Sequence, residues 1–186
     1  MSNISIRPIN EQDTDKIVKW RNNKKVKKNF VYQEDFTSEG HLHWLHTKVD
    51  TGEVAQFIIE AADRAVGSCY LRDISMTNRS AEFGIFIGED DARGKGYGTG
   101  AGKLLLDYGF NSLGLHRIFL RVFEDNTAAI RSYRKIGFRE EGVFKDMIYQ
   151  NGRYRSMVFM ACLNENEKMS VGLSPDKDKE TLKIRM

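Results

Sequence analysis

Apolar and polar positions alternate with a period of two at the start of the chain (Ile4, Ile6, then Pro8), which predicts a short first strand. The period then lengthens: Ile17, Val18 and Trp20 follow Asn10, a residue suited to an N-cap, and Asp13 and Asp15 stand where a helical first turn favours negative charge. A second helix, with Ser38 as its expected cap, carries His41, Leu42, Trp44, Leu45 and Val49 at helical spacing. Residues 54–61, 65–73 and 80–88 read as three strands joined by connections short enough for antiparallel hairpins. The architecture then switches. Residues 98–113 predict a helix, 116–123 a strand, and 126–136 a helix closed by Gly137. The last two strands, 143–149 and 153–163, flank Asn151-Gly152, a strong short hairpin signal.

Composition narrows the class. With 186 residues, 40% hydrophobic, 30% charged and only 2 prolines, the chain suits one folded domain rather than a disordered or low-complexity one. The domain is expected over residues 1–163. Residues 164–186 carry five acids and five bases without periodicity and read as a mobile tail. Apolar runs are far shorter than the roughly 20 residues of a membrane span, and no signal-peptide pattern opens the chain, so a cytoplasmic protein is expected. Cys69 and Cys162 sit in strand-like runs with no CxxC partner, and His43 and His46 share a helical face without further ligands, so no disulfide or metal is expected.

The segment Arg93-Gly94-Lys95-Gly96-Tyr97-Gly98-Thr99-Gly100 lies between a predicted strand and a predicted helix. Interior glycine costs a helix about 1 kcal/mol relative to alanine, so this density calls for a compensating task. Glycines let backbone N–H groups approach a ligand, and a helix N-terminus adds unpaired donors, which together describe a phosphate cradle. A Walker loop fails, because Tyr97 stands where its first glycine belongs and Leu104 follows Gly102-Lys103. A dinucleotide fingerprint fails on context, because antiparallel strands precede the loop.

The loop resembles that of the GCN5-related N-acetyltransferases (GNAT): Arg or Gln, two residues, Gly, one residue, then Gly or Ala. The resemblance extends through Arg79-Ser80-Ala81-Glu82-Phe83 before the loop, Asn126 to Phe138 after it, and Asn151-Gly152-Arg153-Tyr154. It implies an α/β (α+β) fold, a mixed, mostly antiparallel sheet of about seven strands flanked by helices and splayed between the fourth and fifth strands. Acetyl-CoA is then the co-substrate. Its pantetheine arm would pair with the backbone of Ile85, Phe86 and Ile87, and its pyrophosphate would lie on Arg93, Gly94, Lys95, Gly96, Tyr97, Gly98 and Thr99. Asn126 is placed to hold the pantetheine arm as well as to cap a helix. Tyr133 matches the tyrosine that protonates the departing thiolate, although packing alone would also explain its ring. Glu82 is the expected base, directly or through water, with Arg79 as a possible ion partner, and His41 is the runner-up.

The first 50 residues should choose the acceptor. Seven bases from Lys16 to Lys28, with no acid among them, form a positive rim hidden by the net charge of +3. Arg21, Lys27, Tyr32 and His41 are the expected acceptor contacts. The chain resembles sugar-nucleotide 4-amino N-acetyltransferases of the pseudaminic acid pathway, spermidine N-acetyltransferases and ribosomal-protein N-terminal acetyltransferases. The basic rim favours the first, with a UDP-4-amino sugar as acceptor. A small-molecule amine is the expected partner, with neither nucleic acid nor membrane, and a homodimer is possible for the family. A non-catalytic module binding acidic partners through the lysine run is the alternative of another class.

Overall fold

The computed structural model describes residues 4–165. In chain order the elements are β1 (Ile4–Pro8), α1 (Thr14–Asn22), α2 (Lys24–Lys27), α3 (Ser38–Trp44), β2 (Ala55–Ala61), β3 (Arg64–Ser75), β4 (Ser80–Ile87), α4 (Tyr97–Asp107), β5 (Arg117–Phe123), α5 (Thr127–Ile136), β6 (Arg139–Gln150) and β7 (Arg153–Leu163). Apart from its first two residues, the expected tail lies outside the described residues.

The strands form one mixed seven-stranded sheet in the order β1-β2-β3-β4-β5-β7-β6. Every neighbouring pair is antiparallel except β4 and β5. The expected fold class is therefore borne out.

Strand alternation explains how helices cover both faces. Phe57 and Ile59 of β2 point into a core shared with Ala101 and Leu105 of α4 and Ile130 and Ile136 of α5. Ile58, between them, points the other way, onto Ile17 and Trp20 of α1 and Leu45 after α3. Burying such a side chain contributes roughly 1.5–3 kcal/mol, so β2 binds the two layers through successive residues.

Local chemistry sets the helix ends. Asn10 and Asp13 form a reciprocal capping box before α1, and Asp13 also takes both Nη atoms of Arg7 at 2.7 and 2.8 Å. The cap of α3 is Thr37, whose hydroxyl accepts from the Gly40 N–H at 3.1 Å; Ser38, the expected cap, is instead the first helical residue. Two adjacent hydroxyls offered the same chemistry. Asn126 caps α5 by accepting from the Ala129 N–H at 3.3 Å. Asn151 and Gly152 take φ of 53° and 78°, the pair of left-handed residues that a tight hairpin turn requires.

Strand β6 is longer than its alternation indicates. It begins at Arg139 because register shifts between Glu140 and Gly142 and between Phe144 and Ile148 interrupt the two-residue period. No helix among the described residues is long and apolar enough to cross a membrane.

Candidate active site

Strand β4 pairs with β5 only from Ser80 to Glu82, opposite Arg117 to Phe119. Beyond Glu82 the two strands part: Phe83 to Ile87 continue to pair with β3, while Leu120 to Phe123 pair with β7. One edge of β4 is thus left with backbone N–H and C=O groups open to an extended ligand carrying amides. A cavity of about 1430 Å³ occupies the gap, and Ile85, Phe86 and Ile87 line it.

At the far end of β4 stands the glycine loop. Gly94 and Gly96 adopt φ of +77° and +83°, and a Cβ built on either meets nothing within 4 Å. The loop surface is therefore open where a ligand would lie, and its conformation is one that L-residues resist. Gly96 precedes α4 and no side chain caps that helix, which leaves its first N–H groups free for an anion. Arg131 and Lys135, one turn apart on α5, line the same cavity and add positive charge. Neither stood out in the sequence.

Arg93 lines the cavity too. Its guanidinium donates to the Ile87 and Gly88 carbonyls, both at 3.1 Å, and pairs with Asp90 at 2.6 Å. These bonds brace the loop against the strand end. Lys95 is exposed and does not line the cavity. Gly94, Gly96, Tyr97, Gly98 and Thr99 all line it, and the Thr99 hydroxyl bonds Ser132 of α5 at 2.9 Å.

The chemical centre gathers Tyr133, Tyr70, Glu82, Arg72 and Arg121 on the cavity wall. Tyr133 packs edge-on against Phe83 and Phe138, with ring centroids 6.0 Å away in each case. Burial, with Tyr70 nearby, pushes its phenol well above the ordinary value, so it stays protonated through the neutral range. Glu82 is 6% exposed. Arg121 donates to the two Glu82 oxygens at 2.9 and 3.0 Å, and Arg72 donates at 2.8 and 3.1 Å. Burial alone would raise its pKa, but the Arg121 hydrogen bonds and the Arg72 charge outweigh that and hold it below the ordinary carboxylate value. The strands themselves produce this cluster, because Arg72 stands directly opposite Glu82 in the β3–β4 register.

The face formed by α1, α2 and α3 supplies the rest of the wall. Arg21 lines the cavity with its guanidinium carbon 3.4 Å from the Phe30 ring centre and 5.0 Å from that of Phe36. Lys27 does not line the cavity; it pairs with Asp35 at 2.6 Å, because the lysine run winds around the short helix α2 and its side chains diverge. Tyr32 lines the rim and donates to Glu34 at 2.6 Å. His41 borders the cavity but is 1% exposed, with Nδ1 3.0 Å from the Thr14 hydroxyl and Nε2 enclosed without a hydrogen-bond partner. For His41 to act as the base, its enclosed Nε2 has to be uncovered. Asn126 lines the cavity with its amide nitrogen 3.3 Å from the Asn29 side-chain oxygen. Among the described residues, no group of three or more His, Cys, Asp or Glu side chains is placed to hold a metal ion.

The family model for the acetyltransferase (GNAT) domain matches residues 3–139, which contain the splay, the glycine loop and α5. The chain belongs to the GNAT family. This acetyltransferase is 31% identical over 173 residues to the spermidine N(1)-acetyltransferase of Escherichia coli strain K12, an alignment covering 92% of this chain and 91% of that one. The spermidine N-acetyltransferase of Vibrio cholerae, solved in complex with CoA and spermine, superposes with a TM-score of 0.81 at 28% identity, covering 86% of this chain and 95% of its own. A dodecameric structure of the same Vibrio cholerae enzyme gives a TM-score of 0.75 at 26% identity, with 91% of this chain and 98% of that one covered. The spermidine branch of the resemblance is thereby supported; the sugar-nucleotide branch gains nothing from these relatives.

Proposed function

We propose that the protein transfers an acetyl group from acetyl-CoA to a primary amine of a small molecule by direct attack in a ternary complex. The observation that carries this reading is the single cavity in which the unpaired edge of β4, the open glycine loop and Tyr133 meet. Acetyl-CoA supplies an activated acyl group and a thiolate leaving group. Ile85, Phe86 and Ile87 hold the pantetheine arm through backbone bonds, as an added strand is held. Gly94, Gly96 and the first N–H groups of α4 take the pyrophosphate, with Arg131 and Lys135 as its counter-charges. Asn126 borders the arm from the start of α5.

Tyr133 delivers a proton to the leaving sulfur. Its raised pKa keeps the O–H in place until it is needed. The amine must lose a proton to attack. An alkylammonium with a pKa near ~10.4 stands roughly 6 units above an ordinary glutamate, about 8 kcal/mol, and Glu82 is weaker still as a base. Glu82 is therefore not the final proton acceptor: the amine's proton passes through water in the cavity to bulk solvent, and Glu82 chiefly orients Arg72 and Arg121.

A polyamine is the acceptor class that the relatives favour over a nucleotide-linked amino sugar. Self-association through β6, an edge strand whose Val143, Phe144 and Met147 are exposed, belongs to the same proposal and is read by light scattering. The direct test of function is calorimetric titration with CoA, followed by thiol release from acetyl-CoA in the presence of spermidine and other amines. Absence of CoA binding would overturn the reading.

A further inference from the structure

On the acceptor side of the cavity, cations outnumber the acids that could neutralise them. Arg21, Arg72 and Arg121 all line it. Arg72 and Arg121 share Glu82 through their Nε and Nη2 atoms, so each keeps Nη1 without a bond to that carboxylate. Exposed Asp73 comes within 3.7 Å of Arg72 from the outside. Arg21 has no hydrogen bond or ion pair among the described residues; two aromatic rings hold its plane, and its Nε is buried without a partner. Of the acids lining the cavity, Glu82 is shared by Arg72 and Arg121, and Glu34 is exposed at the rim, where it accepts from the Tyr32 hydroxyl.

Arg21 is half-buried with its Nε shut off from any partner, so its charge is only partly hydrated and has no counter-ion, and the positive charge of Arg72 nearby adds to that cost. A ligand anion would remove that cost. Arg suits this role because its planar fork meets a carboxylate or phosphate with two parallel bonds, and Phe30 already restricts the rotation of the Arg21 fork. A polycation entering here would instead meet like charge.

We infer that the acceptor carries an anionic group, carboxylate or phosphate, and that Arg21, with the free edges of Arg72 and Arg121, binds it beside the reacting amine. This rests on the acetyl-transfer reading and departs from the polyamine acceptor of the relatives. Tyr70 and Tyr133 line the same cavity as the three guanidiniums, which puts the anion site in the space where the reacting atoms meet.

Matched acceptors test it. Lysine is cadaverine bearing a carboxylate, and phosphoethanolamine is ethanolamine bearing a phosphate, so each pair isolates one anion source. In thiol-release assays the anionic member of at least one pair is expected to show kcat/KM tenfold or more above its neutral-tailed twin, and above spermidine. Which pair responds identifies the source. Arg21→Gln should abolish that preference while leaving the Kd for CoA unchanged, and Arg21→Lys should restore part of it if the glutamine variant folds poorly. The inference is overturned if spermidine, cadaverine or ethanolamine outperforms both anionic twins, if neither twin turns over, or if Arg21→Gln leaves the preference intact. Failure of CoA to bind would instead overturn the transfer reading, and the two failures are separable.

Discussion

Tyr70 lies against the backbone of Gly84 so closely that a Cβ built on that glycine would stand 2.2 Å from the tyrosine Cζ and 2.4 Å from its hydroxyl. No side chain fits there unless the ring moves. Gly84 is thus what allows its β3 partner Tyr70 to lay an aromatic hydroxyl across β4, two residues past Glu82 and on the part of the strand that has left β5.

Gly84→Ala should displace Tyr70 toward Arg21 and Arg72. Overpacking of this kind costs about 1–3 kcal/mol, which lowers Tm by a few degrees in a chain of this size. The expected kinetic signature is a rise in acceptor KM of tenfold or more. The CoA affinity, measured by calorimetry, should change little, because the pyrophosphate cradle is at the other end of the strand.

Tyr133→Phe keeps the ring among Phe83 and Phe138 and removes only the hydroxyl. Stability should be nearly unchanged, while kcat falls by ~10²–10⁴, the usual range for loss of a proton donor. Because burial raises this phenol, the wild-type rate should show no alkaline decline from Tyr133 below about pH 10, where an ordinary tyrosine titrates. A variant with full turnover would remove Tyr133 from the mechanism.

Gly96→Ala tests the cradle. The Cβ meets no protein atom, so the cost to the free protein comes from φ +83°, about 1–2 kcal/mol. The methyl occupies space reserved for the pyrophosphate. CoA binding should weaken tenfold or more, with acceptor specificity unaltered in whatever activity remains, as calorimetry and a two-substrate assay would show.

What could be read in the chain was what is written locally. The glycine loop, the Asn126 cap, the Asn151-Gly152 turn and Tyr133 all lie in contiguous segments whose residue types already carry the chemistry. Arg72 and Arg121 could not be found that way, since they come from strands 49 positions apart and meet only through their shared contact with Glu82. The one available signal was a charged residue inside an apolar strand, as in Leu71-Arg72 and Leu120-Arg121-Val122. The lysine run misled for the opposite reason. Its charges are adjacent in sequence, but Lys19, Lys25 and Lys27 turn to Glu89, Asp90 and Asp35, and of the run only Arg21 and Lys25 reach the cavity. Arg93 was legible from the motif, but its bonds to the Ile87 and Gly88 carbonyls and to Asp90 were not, because they depend on how the loop folds back on the end of β4.

Strong acid should loosen the fold at Asp13. This carboxylate is 2% exposed and receives Arg7 bidentately and the Asn10 N–H at 3.1 Å. Burial alone would raise its pKa, but Arg7 and Asn10 together hold it below the ordinary aspartate value. A folded-state pKa below the unfolded one means that the stabilisation is present in full above the unfolded value, near ~3.9, and is lost as pH falls through the folded one. Asp13→Asn should therefore cost about 2–3 kcal/mol at pH 7, toward the low end for a broken buried pair because Arg7 is partly solvated. The difference between wild type and variant in denaturant melts should shrink steadily below pH 4. If the gap persisted unchanged at pH 2, folding would not lower the Asp13 pKa, and the Arg7 pair would not be what anchors β1 to the start of α1.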